Sequence, residues 1–358
     1  MRPSLIASFL DKRQPGFMIL TVTAACNARC SFCFYGSRVA APDPSSELSA
    51  AEYEKISHRC GAIPYLLISG GEPVLRDDLE EIVGHFVRNA RASFVTIPSN
   101  GLLPEKSLDL FSRLCRRFPS THFRAAFSID LPDARHDEAR GAPGCLESLV
   151  EAAALVGGLR NRTPNLTMEA ISVYAPWNAP DMGALREFVR ERMKPDNHEV
   201  HILRADWPSL VAPGVDPEAF LRENAEFRRH GRRPESRPLS PFFRALNDTY
   251  AASLGRILSG RYAFPCRSGS RLVVIDERGA VRLCELRDEV LGDLRSSGYD
   301  LRAILHGPQA RAVVSEMNRS KCMCAWECAV STNIVAWPPL YPSLLARTVA
   351  KALPGGKG

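Results

Sequence analysis

Three cysteines in the stretch TVTAACNARCSFCFYG, Cys26, Cys30 and Cys33, constrain this chain more than any other feature. Their C-x3-C-x2-C spacing gathers three thiolates on one tight loop and supplies no fourth. Thiolate is the ligand type that holds cubane iron–sulfur clusters, and three cysteines on four irons leave one iron open for a substrate or cofactor. A structural zinc knuckle is the competing use of the same residues.

A second motif bears on that choice. Leu66-Leu67-Ile68-Ser69-Gly70-Gly71-Glu72-Pro73 sets two glycines and a carboxylate directly after an apolar, strand-like run. Glycine lets a ligand come close to the backbone, although a lone Gly-Gly-Glu is also an ordinary strand-to-helix turn. The motif lies about forty residues beyond the triad, which leaves room for one helix and one strand. Taken with the triad and with the aromatic Phe32 beside Cys33, it resembles the signature of the radical S-adenosylmethionine (SAM) family. The resemblance implies a [4Fe–4S] cluster on Cys26, Cys30 and Cys33 whose open iron is chelated by the amino and carboxylate groups of SAM. It further implies that Gly70, Gly71 and Glu72 receive the SAM amino group.

The 358 residues suffice for one large domain and a smaller one, and 45% hydrophobic with 24% charged residues is a soluble globular composition. No early segment reads as an export signal, so a cytoplasmic location is expected. Eleven cysteines in such a chain point to metal ligation in a reducing compartment rather than to disulfides. Cys60, Cys115 and Cys145 read as plain buried small residues. The balance of 46 basic and 40 acidic side chains, a net charge of +6, is too modest to announce nucleic acid. A local excess of Arg222, Arg228, Arg229, Arg232, Arg233, Arg237 and Arg244 is either a solvated loop or a docking patch for an acidic substrate.

From Phe17 to Ala205 short apolar runs alternate with helical patterns, which reads as βα units around a parallel sheet. Six strands are expected, at Met18–Thr23, Ile63–Ser69, Ser93–Pro98, His122–Asp130, Leu166–Tyr174 and Glu199–Arg204. Helical spacing marks Ala50–Cys60, Leu79–Asn89, Lys106–Arg116, Leu146–Gly157 and Met182–Met193 between them. The resemblance makes this a partial (β/α)6 barrel of the radical SAM type over residues 1–215, an α/β fold. Functional loops belong at the carboxyl ends of parallel strands, where Asn100, Ser128, Asp130, Asn178 and Arg204 are the next candidates. Ser128 and Asp130, followed by His136, Asp137, Arg140 and Gly141, resemble the family segment that holds the SAM ribose. Beyond the cluster ligands no catalytic acid or base is singled out.

Past a helical bridge at 216–260 the chain changes character. Cys266 precedes a β-hairpin of Arg271–Ile275, a turn at Asp276–Gly279 and Ala280–Glu285, which carries Cys284 on its second strand. Cys322, Cys324 and Cys328 follow in KCMCAWEC. The C-x12-G-x4-C opening resembles the SPASM and twitch extensions of radical SAM enzymes, and a small C-terminal iron–sulfur domain is expected over 261–333. With no cysteine after Cys328, the expectation is one auxiliary [4Fe–4S] cluster on Cys266, Cys284 and Cys328, with Cys322 or Cys324 as the fourth ligand. A zinc ribbon is the alternative. The apolar tail at 334–358 is interrupted by Pro338, Pro339 and Pro342 and is not expected to span a bilayer. It is expected to pack on the barrel or to lie on a membrane surface, with Arg347 and Lys351 on its polar side.

The resemblance implies an enzyme that draws one electron from an external reductant such as flavodoxin or ferredoxin, cleaves SAM and abstracts a hydrogen atom from a substrate. About seventeen residues precede the first strand, fewer than a peptide-recognition domain requires. With the arginine excess, this favours an anionic small metabolite, such as a sugar, cyclitol or lipid-linked precursor, over a ribosomally made peptide. A zinc-bound scaffold is the remote alternative.

Overall fold

Apolar runs such as Phe17–Thr21 and Leu272–Ile275 are buried along their whole length, the pattern of strands covered on both faces. In the computed structural model, which describes residues 14–205, 208–230 and 240–352, these two runs are neighbours in one nine-stranded sheet. Six parallel strands come from the βα units: β1 (Phe17–Thr21), β2 (Tyr65–Ser69), β3 (Phe94–Ser99), β4 (His122–Ser128), β5 (Leu166–Tyr174) and β6 (Asn197–Ile202). The helices α1 (Gly36–Ala40), α2 (Ala50–Arg59), α3 (Leu79–Asn89), α4 (Pro104–Arg117), α5 (Arg135–Arg140), α6 (Cys145–Arg160) and α7 (Met182–Phe188) lie between them. All six expected strands are present, with ends no more than two residues from expectation. The helix expected at Met182–Met193 changes to a π turn at Val189–Met193 and stops at Lys194, whose φ is +51°.

The period of two divides each strand between faces. Met18, Leu20, Leu66, Ile68, Val95, Ile97, Phe123 and Phe127 join the main core under the helices. Phe17, Ile19, Leu272 and Val274 point the other way, where Trp326 and Ala329 cover them. The same inner face turns polar across β4 to β6. There Arg124 pairs with Glu169 at 3.2 Å, and His201 stands 3.8 Å from Glu327.

The C-terminal third extends this sheet rather than standing apart from it. β7 (Leu272–Ile275) runs parallel to β1, in register from Phe17 with Leu272 to Leu20 with Ile275. β8 (Ala280–Arg282) and β9 (Val290–Asp293) then add antiparallel. The second hairpin strand ends at Arg282, so Cys284 lies beyond it and not on it, in the loop that leads to β9. Helices α8 (Pro217–His230) and α9 (Ser240–Leu258) form the bridge, and α10 (Leu301–Leu305), α11 (Pro308–Arg319), α12 (Glu327–Ala336) and α13 (Tyr341–Ala352) complete the chain. The tail packs back through α13 on α9, where Lys351 pairs with Asp248 at 2.8 Å and its carbonyl accepts from Arg244 at 3.0 Å. Lys351 is therefore committed within the protein, against its expected place on a lipid-facing polar side. No helix among the described residues is long and apolar enough to cross a membrane.

The cysteine loop leaves β1 and is stitched to the turn after β2. Gly71 donates its backbone N–H to the Thr23 carbonyl and Glu72 to the Ala25 carbonyl, both at 2.8 Å. So close an approach excludes side chains. A Cβ on Gly70, whose φ is +130°, would stand 2.3 Å from the Thr23 oxygen, and one on Gly71 would stand 2.1 Å from the Ala25 oxygen. Gly71→Ala should therefore lower unfolding free energy by more than about 2 kcal/mol in denaturant titration. Gly158→Ala, on α6 with nothing within 4 Å of the new Cβ, should be neutral or stabilising by up to about 1 kcal/mol. Equal effects at the two positions would contradict the steric account.

Candidate functional site

The loop bearing Cys26, Cys30 and Cys33 lies at the carboxyl end of the sheet, with all three thiols half-buried and free. Its turns are local, from the Cys33 N–H to the Cys30 carbonyl at 3.2 Å and from the Gly36 N–H to the Cys33 carbonyl at 3.1 Å. Burial raises the Cys26 and Cys33 thiols above their ordinary range; Cys30 and Cys33 add to the rise at Cys26, and Cys30 to that at Cys33. Metal coordination would offset that cost by holding thiolates. Among the described residues, no three His, Cys, Asp or Glu side chains converge as ligands of one metal ion.

Two carboxylates brace this loop from below. Glu47 accepts from the Thr23 hydroxyl at 2.9 Å and the Ala24 N–H at 2.8 Å. Glu72 is 2% exposed and accepts from the backbone N–H groups of Asn100 at 2.7 Å and Val74 at 3.2 Å. Burial pushes the Glu72 carboxyl up to about 7, against the opposing pull of those donors. Asn100 donates to the Asn27 side chain at 2.8 Å and has its amide nitrogen 4.0 Å from the Cys26 sulfur. Gly70, Gly71, Glu72 and Asn100 thus stand together around Cys26.

Asp130 departs from its expected place. It is fully buried, pairs with the Arg140 guanidinium and accepts from the Val173 N–H at 2.8 Å. Arg140 in turn has a nitrogen 3.8 Å from the Cys30 sulfur, and its carbonyl accepts from the Arg29 N–H at 2.8 Å. Asp130 consequently orients an arginine under the cysteine loop. Asn178 is similarly committed. Its amide donates to the carbonyls of Asp130 and Val173, and its oxygen accepts from the Ala175 N–H, so it locks the loop after β5 rather than presenting a free group. Ser128 remains half-buried at the end of β4. Arg204, beyond β6, pairs with Glu285 at 3.0 Å and stacks 3.8 Å from the Phe34 ring centroid.

The second cysteine set is arranged differently from expectation. Cys266, Cys284, Cys322 and Cys324 line one small cavity of about 10 Å³ with Ser268, Arg287 and Trp326. Cys328 does not line it. It packs, with Cys284 and Cys324, in the inner-face cluster of Phe17, Ile19 and Tyr65, as the second residue of α12. The cavity thus brings Cys266 and Cys284 together with both Cys322 and Cys324, while the expected Cys328 stays in the neighbouring cluster. In the Cys266–Cys322 pair, the thiol hydrogen bond favours the thiolate of Cys266 and disfavours that of Cys322. Burial pushes Cys284 up to about 12 and raises Cys324. Four desolvated thiols around a void have the chemistry of a soft-metal or cluster site.

Three described arginines of the local excess are held in separate local bonds. Arg228 donates to the Asn247 carbonyl at 2.6 Å, Arg229 pairs with Glu226, and Arg244 reaches Lys351. Arg232, Arg233 and Arg237 lie outside the described residues. Trp326, Phe34 and Glu285 were not singled out from the sequence, and their signal is adjacency to cysteines of both sets.

Comparison with known proteins agrees with this arrangement. Residues 20–166 match the model of the Radical SAM superfamily. The chain is 27% identical over 319 residues to the GTP 3',8-cyclase of Synechococcus elongatus, covering 85% of this chain and 88% of that protein. It is 30% identical over 146 residues to the sporulation killing factor maturation protein SkfB of Bacillus subtilis, covering 40% of this chain and 33% of that one. Among solved structures, SuiB of Streptococcus suis bound to S-adenosylmethionine has a TM-score of 0.60 at 16% identity, covering 85% of this chain and 68% of that one. The AdoMet-bound anSMEcpe has a TM-score of 0.61 at 15% identity, covering 94% and 96%. Residues 20–166 are a radical SAM domain, which implies an enzyme whose cofactors are a [4Fe–4S] cluster and SAM.

The Asp130–Arg140 pair is testable. Arg140→Met leaves a buried carboxylate without its partner and should cost about 3–5 kcal/mol of stability in chemical denaturation. Adding Asp130→Asn should restore most of that loss. A double variant no more stable than Arg140→Met would show that the pair is not the cause.

Proposed function

We propose that this chain is a radical SAM oxidoreductase with two [4Fe–4S] clusters, one on Cys26, Cys30 and Cys33 and an auxiliary one on Cys266, Cys284, Cys322 and Cys324. The lining of one small cavity by four cysteines, in addition to the three-cysteine loop, carries this reading. SAM bound at the open iron supplies a 5'-deoxyadenosyl radical that takes a hydrogen atom from substrate. The residues of the chain do the rest. Gly70 and Gly71 keep the backbone beside the loop free of side chains, Glu72 and Asn100 offer polar groups next to Cys26, and Arg140 sits against Cys30. Trp326 and Ala329 close the inner face of the sheet and keep water from the radical path. Cys266, Cys284, Cys322 and Cys324 would hold the auxiliary cluster, which would supply an acceptor for one electron from the substrate and so allow a net two-electron oxidation or a bond formation coupled to one.

For the substrate, a small molecule is favoured by likeness along most of the chain to a GTP 3',8-cyclase, although the described arginines no longer argue for an anion. Glu169, Glu199 and Glu327 stand on or beside the inner face with Arg124 and His201, a mixed surface suited to a polar metabolite rather than a polyphosphate. The second reading, a peptide substrate, draws on the shorter match to SkfB.

Metal analysis of anaerobically reconstituted protein tests the cluster assignment. Wild type should hold roughly eight irons per chain. The Cys26/Cys30/Cys33→Ala variant should keep about half of them and lose reductive SAM cleavage. Replacing Cys322 and Cys324 together should remove the other half and spare some SAM cleavage, whereas Cys328→Ser should keep a full complement. Loss of the second cluster in Cys328→Ser, or zinc in place of the second iron set, would overturn the auxiliary site.

A further inference from the structure

Arg204 is the side chain that touches the surroundings of both cysteine sets. One face of its guanidinium lies 3.8 Å from the ring centroid of Phe34, the residue that follows Cys33. Its carbon is also 5.7 Å from the ring of Trp326, which lines the four-cysteine cavity. Its Nη1 pairs at 3.0 Å with Glu285, the residue after Cys284. Arg204 and Trp326 share a small crevice with Cys324 as well. The guanidinium therefore stands between the two sets, stacked toward one and ion-paired toward the other. Its electrostatic influence reaches Cys33 and Cys328.

An arginine stays charged at any working pH. Reducing an iron–sulfur cluster adds negative charge, and net charge and hydrogen bonding near the cluster set its potential. In a site of low dielectric a fixed cation acts far more strongly than it would in water. Glu285, whose side chain is 7% exposed, partly neutralises Arg204 on the auxiliary side.

We propose that Arg204 is a cation shared by the two cluster sites, raising the reduction potential of each, with Glu285 as the counter-charge that limits the effect. This rests on the two-cluster reading above. Electron flow from substrate to the auxiliary site and reduction of the SAM-binding site are then tuned by one side chain, so a change at Arg204 moves both together.

The test is an EPR-monitored redox titration of the reconstituted full-length protein without substrate. Arg204→Gln removes the cation and leaves Glu285 buried and unpaired, and both effects act in one direction, so both midpoint potentials should become more negative. Arg204→Lys keeps the charge and should stay close to wild type. Glu285→Gln frees the guanidinium from its counter-charge and should raise both midpoints. With both EPR signals present, unmoved midpoints in Arg204→Gln, or a shift in only one of them, overturn the shared role. A fall in Arg204→Lys as large as in Arg204→Gln overturns the charge as its cause. If Arg204→Gln fails to assemble, unmoved midpoints in Glu285→Gln still overturn the proposal. Wild-type protein with a single cluster signal would remove the two-cluster reading itself, whereas two signals with unmoved midpoints would remove only the role of Arg204.

Discussion

The contact on which the rest depends is the close passage of two backbones, Thr23 to Ala25 against Gly70 to Glu72. Two hydrogen bonds of 2.8 Å join them, and neither glycine has room for a Cβ. Because the cysteine loop begins at this seam, its thiols inherit their position from main chain rather than from long, mobile side chains. Glu72 extends the same seam to β3 through the Asn100 N–H, so the ends of three neighbouring strands are fixed relative to Cys26. Positioning of this kind is what a reaction with a free radical requires of its protein, since the cofactors carry the difficult chemistry.

Most of the barrel could be read in the sequence because its strands are short apolar runs separated by amphipathic helices, and β5 was legible at both ends. The cysteine loop and the Gly-Gly-Glu turn were legible for a related reason, since their spacing is local. What escaped depended on contacts between distant segments. Asp130 and Asn178 stand at strand ends where ligand contacts were expected, yet their partners are Arg140 and backbone carbonyls that only the folded chain supplies. The choice among Cys322, Cys324 and Cys328 turns on where α12 starts. Once Glu327 begins a helix, Cys328 follows it away from the cavity lining, while Cys322 and Cys324 line the cavity and Cys324 also touches the inner-face cluster. Of the arginine-rich bridge, Arg228, Arg229 and Arg244 are held in separate local bonds that the sequence does not show.

The two halves are held together at the cysteine loop as well as through the sheet. The Tyr35 hydroxyl donates to Glu277, and Arg38 pairs with Asp276 at 3.1 Å, so the helix that leaves the cysteine loop is fastened to the hairpin turn. Leu48 also donates its N–H to the Glu277 carbonyl at 2.7 Å. Buried carboxylates in a turn would be costly without such partners, and here each of them ties the C-terminal third to the loop that precedes α2.

The pairing of β1 with β7 has a bearing on how the protein is made. Arg271, at the start of β7, donates to the Gln14 carbonyl across 257 residues of sequence, so one side of the first strand stays unpaired until three quarters of the chain has been synthesised. Contacts of such long range form slowly, and an open strand edge invites association with other chains in the interval. During translation the nascent barrel thus presents its cysteine loop beside an unfinished edge. Closing that edge with the hairpin is the step that commits both cysteine sets to a single molecule.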